Sequence, residues 1–298
     1  MTQDFNSPII NPELEDLERE LQRIEREEKG KEMESQLREA MAQYHGDDEV
    51  MLASDLWEKI KNLPAPHCKF GLAELDNMMG GVSDGNLIVV TAPTGHGKTT
   101  FCRYLSQLLA KQGIKSLWFS FEVGLRNFLL GFNGEMDNIY SPAQNKEQSI
   151  LWTERRIIEA KVKYGVSSVF IDHLDFIADI HGKESEAFQI KQLVYALKNI
   201  AIKYGVSIFL ISHIKAQQDN EEITINSIKS SSSIAQVADF VICLWREQAK
   251  AEYVDRRRVS GDLTNEATIR IVKNRNTGQL GRIKFIYDGN RFLPQLRI

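Results

Sequence analysis

Residues 92–100 read Ala-Pro-Thr-Gly-His-Gly-Lys-Thr-Thr, between the apolar run Leu87–Val90 and a helical stretch, Phe101–Leu109. A Gly-rich loop and a Lys–Thr pair at a strand-to-helix junction suit phosphate capture. Gly95 and Gly97 let the backbone curl, so that successive N–H groups face phosphate oxygens. The helix start behind them adds positive potential. Lys98 has the reach for the outer phosphates, and the Thr99 hydroxyl suits Mg²⁺. The expected binding set is Pro93, Thr94, Gly95, His96, Gly97, Lys98, Thr99 and Thr100. The expected ligands are ATP, or another nucleoside or deoxynucleoside triphosphate, with Mg²⁺. Ala92 stands where this loop pattern has its first glycine, a position that needs only to be small.

Five further residues could carry chemistry, most with a plainer alternative. Asp172 ends the apolar strand Val169–Ile171 and could hold the Mg²⁺ shell from the strand beside the loop, or simply cap the next turn. Glu122 ends Trp118–Phe121, where a carboxylate can orient or deprotonate water. His213 follows Phe209–Ser212 and could touch a γ-phosphate, or be a satisfied surface histidine. Lys273 and Arg275 close the strand Thr268–Val272; they are an exposed rim, or cations that reach a neighbouring subunit's nucleotide.

The elements that must position these groups follow from hydrophobic pattern. Strands are predicted at Lys115–Phe121, Ser167–Asp172 and Val206–Ser212, with helices at 150–164 and 184–204 between them. Apolar strands alternating with helices predict an α/β fold: a mostly parallel sheet covered on both faces. Phe240–Trp245, Ala267–Lys273 and Gly281–Tyr287 read as strands without helices between, the last two joined by a hairpin at Asn276–Gly278. Upstream, Leu14, Leu17, Leu21 and Ile24 predict an amphipathic helix that Gly30 interrupts and Met33, Leu37, Met41 and Tyr44 resume. Residues 1–12 show no periodicity, a short helix is predicted between Asp47 and Leu63, and Pro64–Pro66 reads as a boundary.

Charge divides along the same line. Residues 1–63 carry 17 acids and 8 bases, net −9; residues 64–298 carry 24 acids and 29 bases, net +5, within a total of −4. The main domain is thus compatible with an anionic partner. No apolar run approaches the roughly 18 residues of a membrane helix. The N-terminal stretch lacks a signal core, and the three cysteines have no metal or redox spacing. Together these predict a cytoplasmic protein with reduced thiols.

The order of motifs resembles the ATPase domain of ring-forming replicative DNA helicases, the DnaB-like branch of the RecA-type P-loop proteins. The matching stretches are Ala92–Thr99, Ser120–Glu122, Phe170–Leu174, Ile211–His213, Ile228–Asp239 with Val241–Leu244, and Lys273–Gly278. His213 and the Lys273–Arg275 spacing resemble the helicase half of phage primase–helicases in particular. The resemblance covers roughly residues 47–294. It implies a RecA-like core with C-terminal antiparallel strands at 67–298 and a linker helix within 47–66; residues 1–46, outside the resemblance, read from composition and spacing as a partly disordered acidic helical arm. It implies Lys98 and Thr99 on phosphate and Mg²⁺, Glu122 as base, Asp172 supporting the metal, and His213 sensing the γ-phosphate. Arg275, with Lys273, would act on the neighbour's nucleotide. It implies a homohexamer that translocates 5′ to 3′ on single-stranded DNA, with Lys215 and Lys229 as DNA contacts and a separate primase or polymerase as partner.

Four departures from the family pattern are visible. Glu122 and Asp172 are only 50 residues apart, which predicts a missing strand or helix. Lys229 and Ser230–Ser233 stand where relatives have Arg and glycines. The loop Ile214–Glu222 has one base and three acids, whereas phosphate contacts usually need several cations or backbone N–H groups. A primase domain or full helical N-terminal domain is not part of the pattern. The cluster Arg256–Arg258 reads as a solvated loop, or else as a DNA grip. Two other functions therefore stay open: a RecA-like ATPase that assembles on DNA or protein without unwinding, and an ATP-dependent adaptor whose acidic arm recruits partners.

Overall fold

The computed structural model describes residues 12–42, 50–62, 67–173, 185–213, 234, 236–249, 252–254, 257–259 and 262–295. The chain divides into two compact units, Met1–Pro64 and Ala65–Ile298.

In the first unit, α1 (Pro12–Ala42) and α2 (Ala53–Ile60) are the elements. Helix α1 runs without a break through Gly30, correcting the predicted interruption. One interior glycine costs a helix only about 1 kcal/mol. Exposed Arg23–Glu27 and Arg38–Glu34 pairs at i,i+4 favour the same conformation. Residues 1–11 and 43–49 lie outside the described residues, as do 63–66, so the boundary at Pro64–Pro66 is not described. Leu21, Ile24, Met33 and Leu37 on α1 are exposed, and so are Leu56, Trp57 and Ile60 on α2.

The second unit opens with β1 (His67–Cys68), α3 (Ala73–Met79) and β2 (Val82–Ser83), β1 and β2 pairing antiparallel. Then come β3 (Leu87–Ala92), α4 (Lys98–Lys111), β4 (Ser116–Ser120), α5 (Leu125–Leu130), β5 (Ile139–Tyr140), α6 (Ile150–Tyr164), β6 (Ser168–Asp172), α7 (Glu186–Tyr204) and β7 (Ser207–His213). The chain continues through β8 (Phe240–Gln248), the small hairpin β9 (Glu252–Val254) and β10 (Arg257–Val259), β11 (Leu263–Asn274), β12 (Gly281–Tyr287) and β13 (Phe292–Pro294). Nine strands form one sheet in the order β13-β12-β11-β8-β3-β7-β6-β4-β5. From β8 to β5 all neighbours are parallel; β11, β12 and β13 add antiparallel pairs at the other side.

Every residue of β3, β4 and β6 is buried. That is why these strands read as unbroken apolar runs: a parallel sheet is covered on both faces. On one face Ile88, Val90, Phe101 and Leu105 pack together, and Trp118, Phe170 and Phe209 stack across β4, β6 and β7 with centroids 4.6 and 4.4 Å apart. On the other face Leu87, Val89, Phe119, Val169 and Leu210 meet Ile157 of α6 and Val194 and Leu197 of α7. Helix α6 is capped by Ser149, whose hydroxyl accepts from the Trp152 N–H, and both α6 and α7 stop at left-handed glycines, Gly165 and Gly205.

Strand β7 lies between β3 and β6. The Asp172 strand is therefore not the immediate neighbour of the loop strand, which corrects that part of the sequence reading. Between Glu122 and Asp172 the chain forms α5, β5 and α6, so the short spacing still accommodates a strand and two helices. Cys102 and Cys243 are buried free thiols, and desolvation pushes Cys243 up to about 12.

Candidate nucleotide site

Parallel strands deliver their C-terminal ends to one edge of the sheet. At this edge β3 ends in Ala92, β7 in His213, and β6 in Asp172, while Glu122 stands two residues past β4. The register fixes the juxtaposition: Ser120 is opposite Asp172, and the Phe121 N–H donates to the Asp172 carbonyl at 2.7 Å. Asn145 donates to the Ser120 carbonyl at 2.6 Å, and Ser120 Oγ donates to the Val123 carbonyl at 2.9 Å. These bonds hold the turn that carries Glu122, while its side chain is exposed.

The loop leaves β3 and enters α4 through Gly97, whose φ of +95° caps the helix in the left-handed region. A Cβ there would also sit 3.1 Å from the Phe292 ring, which packs edge-on against Phe101. The left-handed conformation thus favours glycine at Gly97, and a Cβ there would also press on the Phe292 ring. Lys98, mostly buried, donates to the carbonyls of Ala92 at 3.2 Å and Pro93 at 3.3 Å. Desolvation lowers its pKa, while the carboxylates of Glu122 and Asp172 act in the opposite direction. Thr99 Oγ1 donates to Asp172 Oδ2 at 2.6 Å. Burial raises the Asp172 pKa, the Thr99 bond opposes this, and the charge of Glu122 adds to it.

His96 has a partner in the sheet. Its Nδ1 accepts the Arg246 N–H at 2.9 Å, which leaves Nε2 as the proton-bearing nitrogen. Desolvation, followed by the charges of Arg246 and Lys98, lowers its pKa to about 4, so the ring is neutral near pH 7. Arg103 on α4 was not foreseen from sequence. Its Nη2 donates to Thr100 Oγ1 at 3.4 Å, burial lowers its pKa, and its guanidinium fills the space where a Cβ on Gly131 would sit.

The donor set fits Mg²⁺ held with a triphosphate. Thr99 offers a hydroxyl and Asp172 a carboxylate, both oxygens, as this ion requires. Asp172 Oδ1 is buried without a hydrogen-bond partner among the described residues, a cost that a cation would relieve.

Lys273 and Arg275 are not at this edge. Strand β11 runs antiparallel to β8, and Asn274 is opposite Phe240, which in turn is opposite Ile88 near the start of β3. The two cations thus lie at the opposite edge, separated from the loop by the length of a six-residue strand, roughly 17–20 Å. There Asp239 accepts from the Leu87 N–H at 2.8 Å and from Lys198 at 2.6 Å, and pairs with Arg275 at 3.5 Å. Arg275 also donates to the carbonyls of Val237 and Gln236. Burial and then Arg275 lower the Lys273 pKa to about 8. Asn274 ties the hairpin turn, donating to the Met78 and Gln279 carbonyls and to Thr277 Oγ1, and accepting from the N–H groups of Asn276 and Thr277.

A profile of the DnaB-like helicase C terminal domain matches residues 68–132 and 134–292. The chain belongs to this family. The helicase/primase of Enterobacteria phage T3 is 24% identical over 278 residues, covering 78% of this chain and 47% of that protein. The replicative helicase DnaB of Rickettsia prowazekii (strain Madrid E) is 25% identical over 274 residues, covering 73% and 56%. The chain thus spans about half the length of these curated relatives. Among solved structures, an isolated ATPase domain superposes with a TM-score of 0.68 at 19% identity, over 82% of this chain and 97% of that one. A DnaB-like replicative helicase studied with primase superposes at 0.67 and 20% identity, over 89% and 72%. The RecA-like fold of the DnaB-like domain is therefore shared.

Of the expected site, Lys98, Thr99, Asp172, Glu122 and His213 come to one edge of this DnaB-like domain, and Lys273 and Arg275 to the other. Lys215, Lys229, the loop 214–222 and the Ser-rich segment 230–233 lie outside the described residues, as does Arg256; Arg257 and Arg258 fall in β10. Sequence reading also gave no role to Asp239. Its signal was available as the acid that immediately precedes an apolar strand.

Proposed function

We propose that this chain is the motor domain of an NTP-driven replicative DNA helicase that works as a homohexameric ring, moving 5′ to 3′ on single-stranded DNA. The observation that carries the reading is the separation of Lys98 from Arg275 across the sheet. A cation about a strand's length from its own loop does not complete that loop's site, and in a closed ring it would be available to a neighbour's. Family membership supports the chemistry, and the +5 charge of residues 64–298 suits a polyanion.

In this reading Lys98 exchanges the Ala92 and Pro93 carbonyls for phosphate oxygens. Thr99 and Asp172 hold Mg²⁺, which when bound neutralises charge on the triphosphate. Glu122 accepts a proton from the attacking water, and His213 donates to the γ-phosphate. Arg275, with Lys273, turns from Asp239 towards the neighbour's nucleotide and stabilises charge in the transition state. Residues 47–66 act as a linker and 1–46 as an acidic arm for a partner such as a primase or polymerase. No described helix is long and apolar enough to cross a membrane, in keeping with a cytoplasmic setting.

A forked-duplex unwinding assay run beside an ATPase assay tests this. Strand separation dependent on a 5′ single-stranded tail is expected. DNA-stimulated hydrolysis without separation would replace this reading with a RecA-like ATPase that assembles without unwinding. The three acids and one base of residues 214–222 favour that second reading.

A further inference from the structure

We infer that Glu122, His173 and His213 form a binding site for a zinc-type transition-metal ion, separate from Thr99 and Asp172, and that filling it silences hydrolysis. The three residues offer one ligand atom each, all within 4.8 Å of one another. They come from the ends of β4, β6 and β7, three consecutive strands of the sheet. Neighbouring strands run about 4.8 Å apart, so β4 and β7, on either side of β6, are about 10 Å apart, and it is the side chains of Glu122 and His213 that converge on His173.

The two imidazoles meet edge to face with centroids 4.3 Å apart. His173 is buried, His213 is half-buried and Glu122 is exposed, so two ligands are held and the third is free to rotate. Around a tetrahedral ion, donors at the usual bond lengths stand roughly 3.4 Å apart, so closure takes movements of about 1 Å. An exposed glutamate supplies such a movement with little resistance.

The donor chemistry separates this cluster from its neighbour. Two nitrogens and a carboxylate suit zinc, nickel, cobalt or copper, whereas the Thr99–Asp172 pair is all oxygen and suits Mg²⁺. Three protein ligands leave a fourth position for water. The silencing rests on the proposed roles of Glu122 and His213: a carboxylate bound to zinc cannot accept a proton from water, and a bound imidazole cannot reach a γ-phosphate. The binding itself rests only on geometry.

Zinc titrated calorimetrically into the nucleotide-free full chain tests the site, with cobalt absorption as a second readout of coordination. One equivalent per chain is expected, weakened roughly tenfold or more in His173→Asn, His213→Asn and Glu122→Gln. His96→Gln, a histidine outside the cluster, should bind as the parent does. Thermal melting checks each variant; Glu122→Gln changes an exposed side chain and serves if His173→Asn does not fold. Equal zinc affinity in parent and Glu122→Gln overturns the site. At saturating magnesium and ATP, stoichiometric zinc should cut hydrolysis at least tenfold, reversibly with a zinc-selective chelator. Full hydrolysis by the zinc-loaded chain overturns the silencing. A chain that binds zinc through these residues but hydrolyses nothing when zinc-free counts against the proposed motor and supports the site.

Discussion

The two edges of the main sheet are built on opposite principles. At the loop edge, polar groups are held but incompletely matched: Lys98 makes do with its own loop's carbonyls, and Asp172 keeps one buried oxygen without a partner among the described residues. At the far edge the central charge is saturated. Asp239 accepts from a backbone N–H and a lysine and pairs with an arginine, tying β3, α7 and the β11–β12 turn together. An edge that must receive a ligand leaves capacity open, whereas one that supports the scaffold closes it. Arg275 sits at the closed edge, where its half-exposed guanidinium pairs with the buried Asp239 and donates to the Val237 and Gln236 carbonyls.

The comparison can be broken by substitution. The largest effect is expected for Lys98→Ala, which should lower NTP hydrolysis by roughly 10³-fold or more through lost phosphate binding and charge stabilisation. Near-parental turnover would remove the loop edge from the chemistry. Arg275→Ala should lower hydrolysis by about 10³-fold in assembled rings, with nucleotide affinity of dilute single chains unchanged. Mixing it with Lys98→Ala should restore activity at mixed interfaces, whereas failure of that complementation in verified mixed rings would sink the trans assignment.

Asp239→Ala tests the closed edge. Removing the acid leaves the buried Leu87 N–H unpaired and Lys198 with only the Gly85 carbonyl, and unfolding stability should drop by about 2–3 kcal/mol in urea titrations. A loss below about 1 kcal/mol would mean that the clamp is ornamental. The smallest effect is a pH dependence at His96. Its folded pKa, about 4, lies below the unfolded value near 6.5, so the unfolded chain takes up the proton first. This contribution is complete above pH 6.5 and lost progressively as pH falls towards 4. Urea midpoints measured across that window should decline less in His96→Gln than in the parent; identical slopes would refute the linkage.

Much of this architecture was legible in the chain. Strands such as Leu87–Ala92 are buried on both faces and so announce themselves as apolar runs, and helix 150–164 carries clear periodicity. The loop stood out because two glycines and a Lys–Thr pair at a strand-to-helix junction form a restricted pattern, and the structure does place it between β3 and α4. Elements of two to seven residues, such as β1, β5, α3 and α5, are too short to display a period. Strand order was also hidden. That β7 separates β3 from β6, and that Glu122, His173 and His213 converge, depends on how strands pair and not on local pattern. Gly30 misled because propensity is a weak prior beside the salt pairs that flank it on α1.

The contact beneath Gly97 has a consequence for biosynthesis. Phe292 sits in β13, far downstream of Gly97, where an added Cβ would lie 3.1 Å from its ring, and it also packs against Phe101 at the start of α4. A chain leaving the ribosome emits the phosphate loop early but cannot complete the wall behind it until Phe292 has emerged. The packing beside Gly97 is thus finished only when β13 has been made.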